Sequence, residues 1–114
     1  MYAQLSYFNG PRSDEVVRAS ERAGKERILP ALAAQPEVRA NHVATYILRQ
    51  PDGGELVIAV SETEEALRLS VETILSTELL PGEDPALLSQ PDRVEMYSVV
   101  HAIGRDFDLI GEPA

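Results

Sequence analysis

The chain is 114 residues long with 44% hydrophobic and 25% charged positions, which is the size and composition of one globular domain with a single core. No apolar run approaches the roughly 18 residues that a membrane-spanning helix needs, and the first ten residues lack the basic flank and apolar stretch of a signal peptide. With no cysteine and a net charge of −9, a disulfide framework, a thiol nucleophile and a thiolate metal site are excluded, and phosphate backbones and anionic lipids are repelled. The expectation is a cytoplasmic protein with neither nucleic acid nor membrane as partner.

Residues 2–9, rich in aromatic and strand-compatible side chains, predict a first strand that stops at Gly10-Pro11. Ser13 is placed to cap a helix whose first turn carries Asp14 and Glu15 and whose apolar or small positions recur at Val17, Ser20, Gly24, Ile28 and Ala31. Pro30 is expected to kink or split it. After Pro36 the pattern becomes that of strands, at 42–49 and 56–60, joined through Pro51-Asp52-Gly53-Gly54. Asp-Gly is the preferred type I′ pair, so the two strands should form a hairpin with Ile47 opposite Ile58 and Thr45 opposite Val60.

Ser61 or Thr63 then caps a second helix, with Leu67, Val71, Ile74 and Leu75 as its apolar stripe and Glu65, Arg68 and Glu72 opposite. Residues 79–93, with Pro81, Gly82, Pro85 and Pro91, read as a loop holding one helical turn near 86–89. A fourth strand is expected over 94–103, followed by a tail, 104–114, with Phe107, Leu109 and Ile110.

The order strand, helix, strand, strand, helix, strand is that of the α+β ferredoxin-like split βαβ fold, with two helices on one face of a four-stranded antiparallel sheet, in one domain over residues 1–103. The other face cannot be fully solvated, because 56–60 is apolar on both parities and 97–103 nearly so. A second copy packed sheet to sheet about a two-fold axis is the simplest cover, and the tail could pack on that partner.

Three segments, Ile28-Leu29-Pro30-Ala31-Leu32-Ala33-Ala34-Gln35-Pro36, Leu48-Arg49-Gln50-Pro51-Asp52-Gly53 and Ser61-Glu62-Thr63-Glu64-Glu65-Ala66-Leu67, resemble the antibiotic-biosynthesis-monooxygenase-like proteins of the dimeric α/β-barrel superfamily. The likeness extends over residues 1–103 and rests on structural motifs: a kinked helix end, a hairpin turn and a helix start. It implies a homodimer whose two sheets enclose a barrel, with a pocket in each subunit. Some members oxidise aromatic polyketides without a cofactor and related members cleave haem, using an Asn near the end of strand 1 and a Trp after strand 3. Asn9 stands at the first of these positions. Ser61 stands at the second, where the family commonly reads Trp-Glu-Ser-Glu-Glu-Ala, and this chain has no Trp with which to wall a flat substrate.

Asn9 could hydrogen-bond a substrate carbonyl, or simply form the turn before Gly-Pro. Tyr7, Tyr46 and Tyr97 could line a pocket as phenolic donors, or complete a core with satisfied hydroxyls. His101, expected on strand 4, is a candidate general base, or a hydrogen-bonded core or interface histidine. His42 is expected to be exposed. No His-carboxylate metal spacing, phosphate loop or nucleophile elbow occurs, so no cofactor and no metal are expected. Two readings follow: a homodimer that binds a small, largely apolar or aromatic molecule in its barrel, catalytic if Asn9 and His101 reach it, and a non-catalytic accessory or interaction protein with a filled barrel.

Overall fold

The computed structural model describes residues 1–103. They form an α+β arrangement in which strands β1 (Tyr2–Phe8), β2 (His42–Arg49), β3 (Glu55–Ser61) and β4 (Arg93–Ser98) make an antiparallel sheet in the order β2-β3-β1-β4. Helices α1 (Asp14–Arg22), α2 (Leu29–Ala34), α3 (Pro36–Asn41) and α4 (Glu64–Leu75) complete it, with a topology compatible with a ferredoxin-like fold. No described helix is long and apolar enough to cross a membrane. Residues 104–114, including Phe107, Leu109 and Ile110, lie outside the described residues.

Register decides which side chains share a face, because directly paired residues point the same way and alternate along each strand. One face carries the rungs Leu48-Leu56-Tyr7-Arg93, Tyr46-Ile58-Leu5-Glu95 and Ala44-Val60-Ala3-Tyr97. The other carries Phe8, Glu55 and Arg49, then Ile47, Val57, Ser6 and Val94, then Thr45, Ala59, Gln4 and Met96, and ends at His42, Ser61, Tyr2 and Ser98. Among the described residues, every hydrogen bond or ion pair that ties a strand side chain to the helical layer falls on this second face. Arg49 pairs with Glu21 of α1 at 2.9 Å, and the Ser61 hydroxyl donates to the carbonyl of Asn41 at 3.1 Å.

Arg12, in the loop between β1 and α1, fixes that corner. Its guanidinium lies 5.4 Å from the centroid of the Phe8 ring, donates to Ser20 Oγ at 2.6 Å and to the Gly53 carbonyl at 3.3 Å, and approaches Glu55 at 3.9 Å. Its Nε is buried with no partner in the protein, a cost set against the other contacts.

The hairpin forms where the sequence predicts it, but one residue out of the expected register. Ile47 faces Val57 and Thr45 faces Ala59, not Ile58 and Val60. The turn is the reason. Gly53 N–H bonds to the Gln50 carbonyl at 2.9 Å and Gln50 N–H to the Gly54 carbonyl at 2.8 Å, with Gly53 at φ +89°. This is a three-residue loop, a turn with Pro51 and Asp52 at its corner followed by a left-handed glycine, in place of a two-residue type I′ turn. The shift by one exchanges which of the β2 side chains sit with Ile58 and Val60, so Tyr46 and Leu48 join them and Ile47 does not.

Three further departures have local causes. Pro30 does not split the helix but coincides with a local distortion of it: the backbone passes from α1 through a π-helical stretch, Ala23–Ile28, into α2. Pro30 has no N–H and crowds the carbonyl four residues back, and the wider turn before it, with Leu29 N–H reaching Gly24, accommodates both. The break falls at Gln35, held extended at φ −88°, ψ 109° by Pro36, and Pro36 then opens α3 as its first residue, a helix absent from the sequence expectation. β4 ends at Ser98, so residues 99–103 are not strand and His101 does not lie on one.

The expected caps are present, with Ser13 accepting from Val16 N–H and Thr63 from Ala66 N–H, each at 3.2 Å. The buried apolar side chains are Ala23 in the π-helical stretch, Val38 in α3 and Ala66 and Leu67 in α4, and α4 packs on α2, α3 and β3. The segment after α4 contains a single 3₁₀ turn, Pro85–Leu87, capped by Asp84. It is clamped to the first helix by two arginines. Arg22 donates to the Pro81 carbonyl at 2.8 Å, while Arg27 reaches both Glu83 carboxylate oxygens, at 2.8 and 3.3 Å, and Thr77 Oγ1 at 2.7 Å. Leu80 N–H also donates to Glu83, whose side chain is 3% exposed, and Arg27 followed by this amide holds the carboxyl below the usual carboxylate range.

Two outcomes follow. Because the folded-state pKa of Glu83 is depressed, its stabilisation is complete above the ordinary carboxylate value of about 4.3 and is lost as pH falls through the folded value. Glu83→Gln should therefore flatten the acid limb of a pH-stability curve, and Arg27→Ala should cost about 2 kcal/mol or more in denaturant unfolding at neutral pH, since it strands a buried carboxylate. Gly53→Ala should cost about 1–3 kcal/mol in the same assay, because its backbone angle is strained for an L residue and a Cβ there meets the Arg12 carbonyl.

Candidate functional site

The six residues singled out in the sequence do not come together at one point of the chain. Tyr7, Tyr46 and Tyr97 share the sheet face opposite the one with the polar ties to the helices, but on three different rungs. Tyr46 on β2 and Tyr97 on β4 are three strand spacings apart, about 14 Å, and Tyr7 and Tyr97 are separated by about 13 Å along the strands. Ser61 lies on the opposite face. Asn9 is exposed just past β1, and its backbone N–H donates to Asp92 Oδ2 at 2.7 Å. His101 is exposed beyond the end of β4.

Ser61 is 4% exposed, the buried polar residue among a small set of buried side chains, and its hydroxyl serves the end of α3. Ser61 is thus enclosed by close protein packing. Ser61→Trp should overpack it and cost about 1–3 kcal/mol. Ser61→Ala should cost less than about 1 kcal/mol, because the Asn41 carbonyl keeps its bond from Glu62 N–H at 2.8 Å. Chemical denaturation of the two variants beside the wild type measures both.

The face that holds the tyrosines is the most distinctive surface. Its three rungs place Ala3, Leu5, Ala44, Leu48, Leu56, Ile58 and Val60 with the tyrosines, and its outer strands stay open, with Tyr46 59%, Leu48 48% and Tyr97 50% exposed. Its charged members are Arg93 and Glu95, both on β4. Arg93 lies 4.1 Å from the centroid of the Tyr7 ring, and its nearest approach to Glu95 is 3.7 Å, an ion pair too long for a hydrogen bond.

Tyr7 and then Glu95 favour the charged form of Arg93, raising its pKa above the ordinary value, and the Glu95 carboxylate pushes the Tyr97 phenol up. Sequence reasoning passed over Arg93 and Glu95. The signal was the period-two spacing of Arg93, Glu95 and Tyr97, which assigns all three to one face of a strand.

Elsewhere, an open groove of about 240 Å³ runs between α1 and the 82–88 segment, lined by Glu15, Arg18, Arg22 and Leu87 among others. A second, of about 450 Å³, lies over Ala33, Pro36 and Arg39. Neither is lined by any of the six candidate residues. Among the described residues no three His, Asp or Glu side chains are placed to hold a metal ion. Compared with known proteins, the chain matches no family model and no curated protein.

Proposed function

We propose that the chain works as a homodimer joined through the tyrosine-bearing sheet face, forming an α/β barrel that takes up a small, largely apolar or aromatic molecule, without a cofactor and in the cytoplasm. The observation that carries this reading is the open face itself, in which Leu5, Leu56, Ile58 and Val60 form an apolar floor flanked by exposed Tyr46, Leu48 and Tyr97. A second copy is the occupant that removes such a face from water in every molecule at once, since a two-fold contact uses the same patch twice. The resemblance to cofactor-independent oxygenases supports the same assembly. It supports oxygenase chemistry less, because Ser61 supplies no aromatic wall and Asn9 and His101 stand apart.

A second reading, a non-catalytic interaction protein with a filled barrel, is favoured by the separation of the three tyrosines onto different rungs.

Sedimentation at micromolar concentration should give one species at twice the 12.5 kDa chain mass, and a monomer would refute the assembly. Ile58→Glu, which puts a carboxylate in the middle of the face, should weaken dimerisation at least ~100-fold. Thermal melts with a panel of neutral aromatic compounds divide the readings. Stabilisation that rises with ligand concentration supports a binder, and no response from any member supports the filled barrel.

A further inference from the structure

We propose that the outer edge of β2 pairs antiparallel with the same edge of a second copy about a two-fold axis, joining two four-stranded sheets into one continuous sheet. The dimer proposed above uses side chains of the sheet face, whereas this contact uses backbone groups at its rim, so the two are tested apart.

The order β2-β3-β1-β4 leaves two edges, and they differ. β4 is six residues long and carries Arg93 and Glu95, charges of the kind that keep an edge from pairing. β2 is eight residues long, and from 43 to 48 it reads Val-Ala-Thr-Tyr-Ile-Leu, with no charge, glycine or proline. Val43, Tyr46, Ile47 and Leu48 are all exposed, so at this edge neither face of the sheet is covered. An uncharged edge of strand-forming residues is a template for another strand, held by main-chain hydrogen bonds.

Geometry decides which backbone groups the edge offers. Gln50 turns its N–H to the Gly54 carbonyl and its own carbonyl to the Gly53 N–H, both inside the hairpin. These groups alternate along an antiparallel strand, so Leu48, Tyr46 and Ala44 direct theirs to β3, while Arg49, Ile47 and Thr45 direct theirs outward. The register shift between His42 and Ala44 ends this regular run. Two-fold pairing that uses Thr45, Ile47 and Arg49 together has one register, centred on Ile47. Ile47 then faces Ile47 of the partner subunit, Thr45 faces the partner subunit's Arg49, and Tyr46 faces the partner subunit's Leu48. Every outward N–H and carbonyl of the run is paired, no like charges oppose one another, and an aromatic ring meets an aliphatic chain at the closer, non-hydrogen-bonded positions. This self-complementarity selects a second copy over an unrelated strand.

A charge at Ile47 meets its own copy on the two-fold axis. Ile47→Lys and Ile47→Glu should therefore each abolish the pairing, and an equimolar mixture of the two should restore it. The variants are made in an Ile58→Glu background, which removes the face contact, and are studied in salt that screens the net charge of −9. Protein is about a hundredfold more concentrated than in the sedimentation test above, as a small contact requires. Amide exchange followed by NMR reads the edge, and sedimentation of the same samples reads the mass. In Ile58→Glu alone, the Thr45, Ile47 and Arg49 amides should exchange about tenfold or more slowly than in either Ile47 variant, in a species of two chains. The Tyr46 and Leu48 amides, bonded to β3, should stay protected in every sample, which separates lost pairing from lost fold. Should Ile58→Glu fail to fold, Tyr97→Glu, half exposed on the same face, replaces it.

Freely exchanging outward amides and a one-chain mass in Ile58→Glu would overturn the edge contact, whether or not the wild type is a dimer. Protection present in the wild type but lost in Ile58→Glu assigns it to the face assembly and overturns the edge contact as well. Pairing of Ile47→Lys by itself, or a mixture that stays monomeric, refutes the register centred on Ile47 and the proposal with it. Growth past two chains in Ile58→Glu refutes a closed two-fold contact. An edge pair that forms while the wild type shows no face contact refutes the earlier dimer alone.

Discussion

The turn at Gly53 is the constraint on which the two faces of the sheet depend. A left-handed residue there closes a three-residue loop, and the loop sets Arg49 against Glu55 and every later pair of β2 and β3. A two-residue loop would move the register by one and put Ile47, not Tyr46 and Leu48, beside Ile58 and Val60. Arg12 holds the turn in this form from outside the hairpin. Its backbone N–H donates to the Asp52 carbonyl at 2.8 Å and its guanidinium to the Gly53 carbonyl, so the β1–α1 loop and the hairpin turn are one unit. The same side chain bonds α1 through Ser20, so the position of the helical layer follows from the geometry of the turn.

The helical layer combines a small fully buried apolar core with specific polar contacts. Its buried apolar side chains are few and mostly small, and the π-helical stretch around Lys25 and Arg27 lies between two α-helical pieces. That stretch carries the arginine that clamps the segment after α4, through a bidentate pair with Glu83 that is nearly closed to solvent. Charge-assisted, two-point contacts of this kind fix orientation as well as add stability. A proline tolerated inside a helix, a widened turn and a clamped loop are therefore parts of one arrangement.

The proposed function turns on the tyrosine-bearing face of the sheet. Its apolar floor and exposed tyrosines call for a cover, and its single close pair of opposite charges gives a chemically distinct corner to a surface that is otherwise apolar or phenolic. Covering such a face is driven by area, while selecting what it holds is a matter of the few polar groups left inside.

Much of this was legible in the sequence, where local chemistry decides. Ser13 and Thr63 cap as their residue types require, Asp52-Gly53 turns the chain, and alternating apolar runs make strands. The α3 helix had a local signal too, Pro36 at a first helical position, which the strand-like pattern after it obscured. Nothing local fixed the choice between a two-residue and a three-residue turn at Gly53, because Asp-Gly suits both. That choice was made by contact with Arg12, a residue 41 positions away, and it alone placed Tyr46 with Ile58.

β4 pairs with β1 as far as Tyr2 and Ser98, and one more bond, from Val99 N–H to the Met1 carbonyl at 2.9 Å, follows before the chain leaves the sheet. The candidate residues Asn9, Ser61 and His101 were chosen by type, and type does not say where a side chain points. The sequence by itself determined most of the helices, strands and turns, because capping and periodicity act within a few residues, though it missed α3 and carried β4 past Ser98. Only the tertiary structure decided which tyrosines share a face and that Arg93 and Glu95 join them, because pairing register depends on contacts between residues far apart in the chain.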